Sequence, residues 1–137
     1  MAPEFRYIRL PKWKWRLEAD YRYWTPIRNI FIDTQYATLQ KNGWLTLRKG
    51  YAWDGSTYVQ DTKASQPASA VHDVFYQFFQ LGLLSVAYRA IADRAYYDLC
   101  REYRMNPIRA WIRWRGVRRG AWFAARLKKQ PEVITVS

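Results

Sequence analysis

The sequence predicts an α+β fold: an N-terminal antiparallel β-meander, then an antiparallel helical hairpin and a basic C-terminal helix. Three observations lead there. From Trp13 to Tyr23 apolar and charged side chains alternate with period two, the pattern of a half-buried strand. Two apolar stretches, one around His72 and one around Asp93, are separated by Gly82 and Ser85, a connection short enough to fold one helix back on the other. Residues 101–129 carry ten Arg or Lys against one Glu, and tryptophans are interleaved with them. At 137 residues the chain reads as a single domain over 1–129, with 1–50 β-rich, 51–65 a loop and 66–129 helical. Residues 130–137 read as a loose tail.

In chain order, Phe5 to Leu10 alternates and forms a first short strand, which Pro11 interrupts. The run from Trp13 to Tyr23 is the strongest strand signal, its aromatic side inward and its charged side in water. Pro26 breaks it, Ile30-Phe31-Ile32 resumes it, and Ala37 to Gln40 leads into Lys41-Asn42-Gly43. Asn-Gly is a preferred hairpin pair because both residues tolerate positive φ, so Trp44 to Arg48 returns as the partner strand. The count is about four strands. Asp54-Gly55-Ser56 is a turn signal in the loop that enters the first helix. That helix starts at Ser65 or Gln66, with Pro67 in its first turn, and runs to about Gln80, with Gly82 as its stop. The second helix follows Ser85 and continues to about Tyr103. Pro107 opens the third, which extends to about Lys128. Along it Gly116, Gly120 and Ala124 recur every fourth residue and predict a smooth face for close helix contact.

Composition narrows the function. A net charge of +12 calls for an anionic partner such as nucleic acid, an anionic membrane or an acidic protein. One cysteine, Cys100, excludes an intrachain disulfide, and together with a single histidine it excludes a Cys/His zinc site. Any metal would be held by oxygen, which favours Ca²⁺ or Mg²⁺. No P-loop, Rossmann fingerprint or helix-turn-helix is present, so no nucleotide cofactor is expected. Neither a signal peptide nor a transmembrane helix is expected, because the N-terminus is basic and aromatic and no apolar run reaches about 20 residues.

His72 is the only histidine in the chain. It is followed by Asp73 and, one helical turn on, by Tyr76. At ~1.5 Å per residue His72 lies ~15 Å and Asp93 ~12 Å from the hairpin turn, nearly level on facing helices. A histidine held by a carboxylate from a neighbouring helix is either a general base or a buried structural hydrogen bond. On the third helix Arg109, Trp111, Arg113, Trp114, Arg115, Arg118 and Arg119 form the candidate surface for an anionic partner.

Two resemblances attach to these residues. The ordered set Trp53-Asp54-Gly55-Ser56, then Ala70-Val71-His72-Asp73-Val74-Phe75-Tyr76, then Ala92-Asp93-Arg94 resembles a family of small, functionally uncharacterised proteins of tailed phages and prophages. The resemblance covers roughly residues 37–103. It implies a bacteriophage protein of the host cytoplasm or the virion. The pair His72-Asp73-Val74-Phe75-Tyr76 and Ala92-Asp93-Arg94-Ala95-Tyr96 also resembles the catalytic helices of secreted-type and parvoviral phospholipases A2. By that likeness His72 activates water, Asp93 orients it, and Tyr76 supports the pair by a hydrogen bond. The same likeness implies Asp73 as a Ca²⁺ ligand, with Asp54, Gly55 and Ser56 completing the shell. The glycine-rich calcium loop of those lipases has no counterpart here, nor do their cysteines. The expectation is a membrane-associated, metal-assisted hydrolase acting on anionic phospholipid. The alternative is a non-enzymatic virion-associated or accessory phage protein whose basic helix contacts nucleic acid, other phage structural proteins or an acidic host protein.

Overall fold

The computed structural model describes residues 2–11, 14–54 and 62–127, with side chains of the last helix described as far as Arg119. Strands and helices segregate along the chain, and the fold is α+β. Among the described residues seven strands come first: β1 (Tyr7–Leu10), β2 (Lys14–Leu17), β3 (Tyr21–Trp24), β4 (Ile32–Asp33), β5 (Ala37–Leu39), β6 (Trp44–Leu47) and β7 (Ala52–Trp53). Three helices follow: α1 (Gln66–Gln80), α2 (Arg89–Glu102) and α3 (Pro107–Leu127).

The strands form two antiparallel sheets, ordered β1-β2-β7 and β3-β6-β5-β4, where a single meander of about four strands was expected. The long alternation is the source of the difference. The strand that carries it is interrupted at Glu18-Ala19-Asp20, where the chain leaves one ladder for the other. Leu17 N–H donates to Tyr51 O at 2.8 Å and Glu18 N–H to Arg6 O at 2.9 Å, both toward the first sheet. Three residues on, Tyr21 pairs with Leu47 in the second. Leu17 and Tyr21 are an even number of residues apart and both are buried, so the side-chain alternation passes through the bend unchanged. Asp20 Oδ1 accepts Lys49 N–H at 2.7 Å and secures the corner.

The β5–β6 turn also departs from expectation. Only Gly43 has positive φ, at 99°, and Asn42 does not. Gly43 N–H donates to Gln40 O and Gln40 N–H to Trp44 O, which makes a three-residue loop ending in a left-handed glycine rather than a two-residue type I′ turn. Gly43 is also pinned from outside the hairpin, because its carbonyl accepts both the N–H and the hydroxyl of Thr25.

Helix α1 is the centre of the molecule, buried on nearly every side. Ser65 precedes it but makes no side-chain cap. The entry is set one turn earlier by a reciprocal capping box between Thr62 and Ser65. Gly82, at φ 70°, ends it as expected, with Leu83 N–H reaching Phe78 O and Gly82 N–H reaching Phe79 O. Ser85 caps a short 3₁₀ turn (Val86–Tyr88) that leads into α2. Asn106 caps α3, its Oδ1 accepting Ile108 N–H at 2.9 Å, directly before Pro107 in the first helical position. Helices α1 and α2 pack as the hairpin, and α3 lies chiefly along α2.

The sheets join the helices through polar aromatic contacts. Trp53 Nε1–H donates to Gln66 Oε1 at 3.1 Å, tying β7 to the start of α1. Tyr103 donates to Pro3 O at 2.6 Å, so the Tyr21 hydroxyl donates to Tyr103, at 2.9 Å. Around this seam Phe5, Tyr7, Trp15, Tyr21 and Trp53 pack ring against ring. No helix among the described residues is long and apolar enough to cross a membrane.

Candidate functional site

The helical hairpin does bring His72 and Asp93 level. The Nε2 of His72 lies 2.7 Å from Asp93 Oδ1, and the Tyr76 hydroxyl donates to the same oxygen at 2.7 Å. One helical turn separates His72 from Tyr76, so both reach a single atom of α2. The other carboxylate oxygen, Oδ2, accepts Arg118 Nη1 of α3, also at 2.7 Å. Asp93 is wholly buried, and three donors from two other helices converge on it. A buried carboxylate is stable only when it is paired and hydrogen-bonded, and here both oxygens are.

A carboxylate facing a guanidinium accepts from its remaining neighbours. His72 therefore presents Nε2–H to Asp93, and Nδ1 is the nitrogen left for other chemistry. Tyr76 keeps its proton: burial first, then the nearby Asp93 carboxylate, raises its pKa far above the ordinary tyrosine range. It is a donor throughout the physiological range and has no role as a base. His72 is 7% exposed, its ring 4.4 Å from that of Tyr76 and edge-on to Tyr96 at 5.7 Å.

Beside this constellation is a polar cleft of about 260 Å³ between the first sheet and α1, its wall including Lys14, Tyr51, Asp54, Asp73, Tyr76 and Gln77. Asp54 and Asp73, expected as metal ligands, thus share one cleft. Both act on Tyr51, whose pKa burial raises first and the Asp73 and Asp54 charges raise further. Tyr76 links cleft to constellation, and His72 does not line the cleft. Two carboxylates are a thin oxygen set for Ca²⁺, which takes six to eight ligands, and no cluster of three or more acidic, His or Cys side chains occurs among the described residues. Gly55 and Ser56 lie outside the described residues. A larger hollow of about 550 Å³ by Ala2 and Glu102–Arg104 shares no residue with either feature.

The basic helix divides differently from the expected seven-residue surface. Arg113 is buried and Arg118 is turned inward to Asp93. Trp114 is half-buried. Arg109, Trp111, Arg115 and Arg119 remain exposed, with the Arg115 guanidinium 5.1 Å above the Trp111 ring. The face against the hairpin is Ala110, Arg113 and Val117, a stride of three and four residues. Gly116 is half-buried off the centre of that face, so the small-residue stripe is not the contact there. The side chains of Gly120, Trp122, Phe123, Ala124 and Arg126, and all of 130–137, lie outside the described residues. The role of Arg118 was missed because charge density alone does not sort a helix. Phase does not single it out either, since at about 100° per residue Arg118 is as far off the Ala110-Arg113-Val117 stride as Gly116 is.

No protein-family model matches the chain, and neither a curated protein nor a solved structure is significantly similar to it.

Proposed function

We propose that the chain is a phage-type hydrolase with phospholipase A2-like chemistry, in which His72 is the general base and Asp93 its orienting carboxylate. The observation that carries this reading is the shared oxygen: Asp93 Oδ1 takes both His72 Nε2 and Tyr76, which fixes the ring and directs Nδ1 away from the carboxylate. A base held in one tautomer and one orientation is what water activation requires. In this reading the small exposed edge of His72 admits that water. Asp73 and Asp54 are the residues that would hold a hard divalent cation in the adjoining cleft, and the chemistry it would supply there is polarisation of a carbonyl. The exposed face of α3 sets the enzyme on an anionic bilayer. Ile108, Trp111 and Ile112 are 70%, 47% and 58% exposed. At 100° per residue they share with Arg115 and Arg119 a sector of roughly 100°.

The test is fatty-acid release from anionic phospholipid vesicles, with calcium and with chelator, for the wild-type chain and for His72→Gln. Calcium-dependent release that disappears in the variant supports the reading. Equal, calcium-independent release by both proteins, or no release by either, removes it. Vesicle binding is tested separately with Trp111→Ala/Ile112→Ala, exposed positions whose loss leaves the packed face of α3 intact.

A second reading is favoured by Arg118. Asp93 on α2 is tied to α1 by His72 and Tyr76 and to α3 by Arg118, which is the geometry of a clasp for the three-helix layer. An accessory or virion protein built this way would lose melting temperature and no activity on His72→Ala.

A further inference from the structure

The outer face of the second sheet carries a feature that the hydrolase reading leaves unused. Along β3 and β6, Tyr21, Leu45 and Leu47 face the core, and Arg22, Trp24, Trp44 and Thr46 alternate onto the opposite face. Trp24 and Trp44 are cross-strand partners. Each indole has a guanidinium laid over it, Arg28 on Trp24 at 4.4 Å and Arg22 on Trp44 at 4.3 Å. Arg28 is fixed by its own anchoring, since Nη1 donates to Thr25 O at 2.7 Å and Ile27 O at 3.0 Å. Despite that cover, half of the Trp24 surface remains in water. Trp24 is exposed and Trp44 half-buried, and both are flanked by cations on a chain of net charge +12.

We propose that this face is a stacking platform for single-stranded DNA, with bases stacked on the Arg28–Trp24 and Arg22–Trp44 pairs and phosphates met by the same guanidiniums. Indole and guanidinium planes stack on any base, because every base has a π-face. The cations fit the phosphate backbone in sign. A folded duplex hides its base faces and would leave the rings uncovered. The surface belongs to the sheet and stands apart from both the His72–Asp93 constellation and α3.

The experiment is equilibrium binding of the full chain to a fluorescently labelled oligo(dT), followed by anisotropy over a range of salt. The basic chain will attract any polyanion, so the deciding comparison leaves charge unchanged. Trp24→Ala is expected to weaken oligo(dT) binding roughly tenfold at fixed salt, with the salt slope unaltered and Trp24→Phe recovering most of the loss. Arg22→Gln is expected to flatten the log–log salt slope by about 0.7. Trp24→Ala and Trp44→Ala binding as tightly as the wild type, with affinity lost instead in Arg115→Gln/Arg119→Gln, would place binding on α3 and overturn the proposal. Tighter binding to the matching RNA, or to duplex, would overturn the assignment to single-stranded DNA. Loss of anionic-vesicle binding in Trp24→Ala, with oligo(dT) binding kept, would make the face a lipid surface.

Discussion

Asp93 is the residue on which the helical layer depends, and its chemistry allows the dependence to be measured. Replacing it with asparagine keeps one oxygen for the His72–Tyr76 pair but sets an amide NH₂ where Oδ2 accepts Arg118, leaving a part-buried guanidinium uncompensated. Breaking a buried pair from one side costs ~3–5 kcal/mol, so Asp93→Asn should lower the urea midpoint severely. Tyr76→Phe deletes one hydrogen bond to a charged acceptor and should cost ~1.5–3 kcal/mol in the same assay. Equal stability of all three proteins would mean that the constellation holds nothing. Cys100 provides a second readout at this scale. Burial pushes its thiol up to about 12, so at pH 8 the native chain should resist alkylation that the urea-unfolded chain undergoes readily. The pairing of His72 with Asp93 was legible in the sequence because hairpin arithmetic fixes level positions on facing helices. The partnership with Arg118 was not, because it depends on the rotation of a third helix.

At the scale of elements, the two helix ends around α2 differ in an instructive way. Both close with the same pair of backwards hydrogen bonds, Leu83 to Phe78 and Gly82 to Phe79 after α1, Met105 to Cys100 and Arg104 to Arg101 after α2. The left-handed position is Gly82 in one and Arg104, at φ 71°, in the other. A non-glycine residue there costs ~1–2 kcal/mol, and glycine returns ~0.5–1 kcal/mol of that through the entropy of the unfolded chain. Arg104→Gly should therefore stabilise the protein by about 0.5–1 kcal/mol and raise Tm by a few degrees, measured by calorimetry; a fall in Tm would mean that the arginine side chain contributes more than the strain. Gly43→Ala should do the reverse. A Cβ there would stand 2.3 Å from Thr25 O and 3.1 Å from Ile27 O, both backbone atoms, and the residue sits at φ 99°, so the cost should exceed ~2 kcal/mol. Element identity was legible from period and from Gly82, Ser85 and Pro107. The β2–β3 corner was not, because a bend that preserves side-chain parity leaves no mark in the alternation.

Across the whole molecule the aromatic content binds the two layers, and it sets the response to alkali. Tyr21, buried against Tyr103, joins β3 to the end of α2; Tyr51 lies between the first sheet and the Asp73 side of α1; Tyr76 holds Asp93. For all three, and for Tyr23, burial is the first cause of a pKa raised above the ordinary value near 10, and neighbouring carboxylates add to it at Tyr23, Tyr51 and Tyr76. Cys100 shifts in the same direction. In each case the native state binds its proton more tightly than the unfolded chain does. The stability these groups contribute is therefore complete below the unfolded values, near 9 to 10, and is lost progressively as pH rises beyond them. The chain should unfold cooperatively in alkali. Absorbance at 295 nm, followed with circular dichroism during a titration from pH 8 to 13, should show Tyr21, Tyr23, Tyr51 and Tyr76 ionising only as the helical signal collapses. Ionisation of all eleven tyrosines in a single step near pH 10, with the fold intact, would contradict the buried seam between sheets and helices. The single-domain reading requires that seam, because it makes the β-rich and helical halves unfold together.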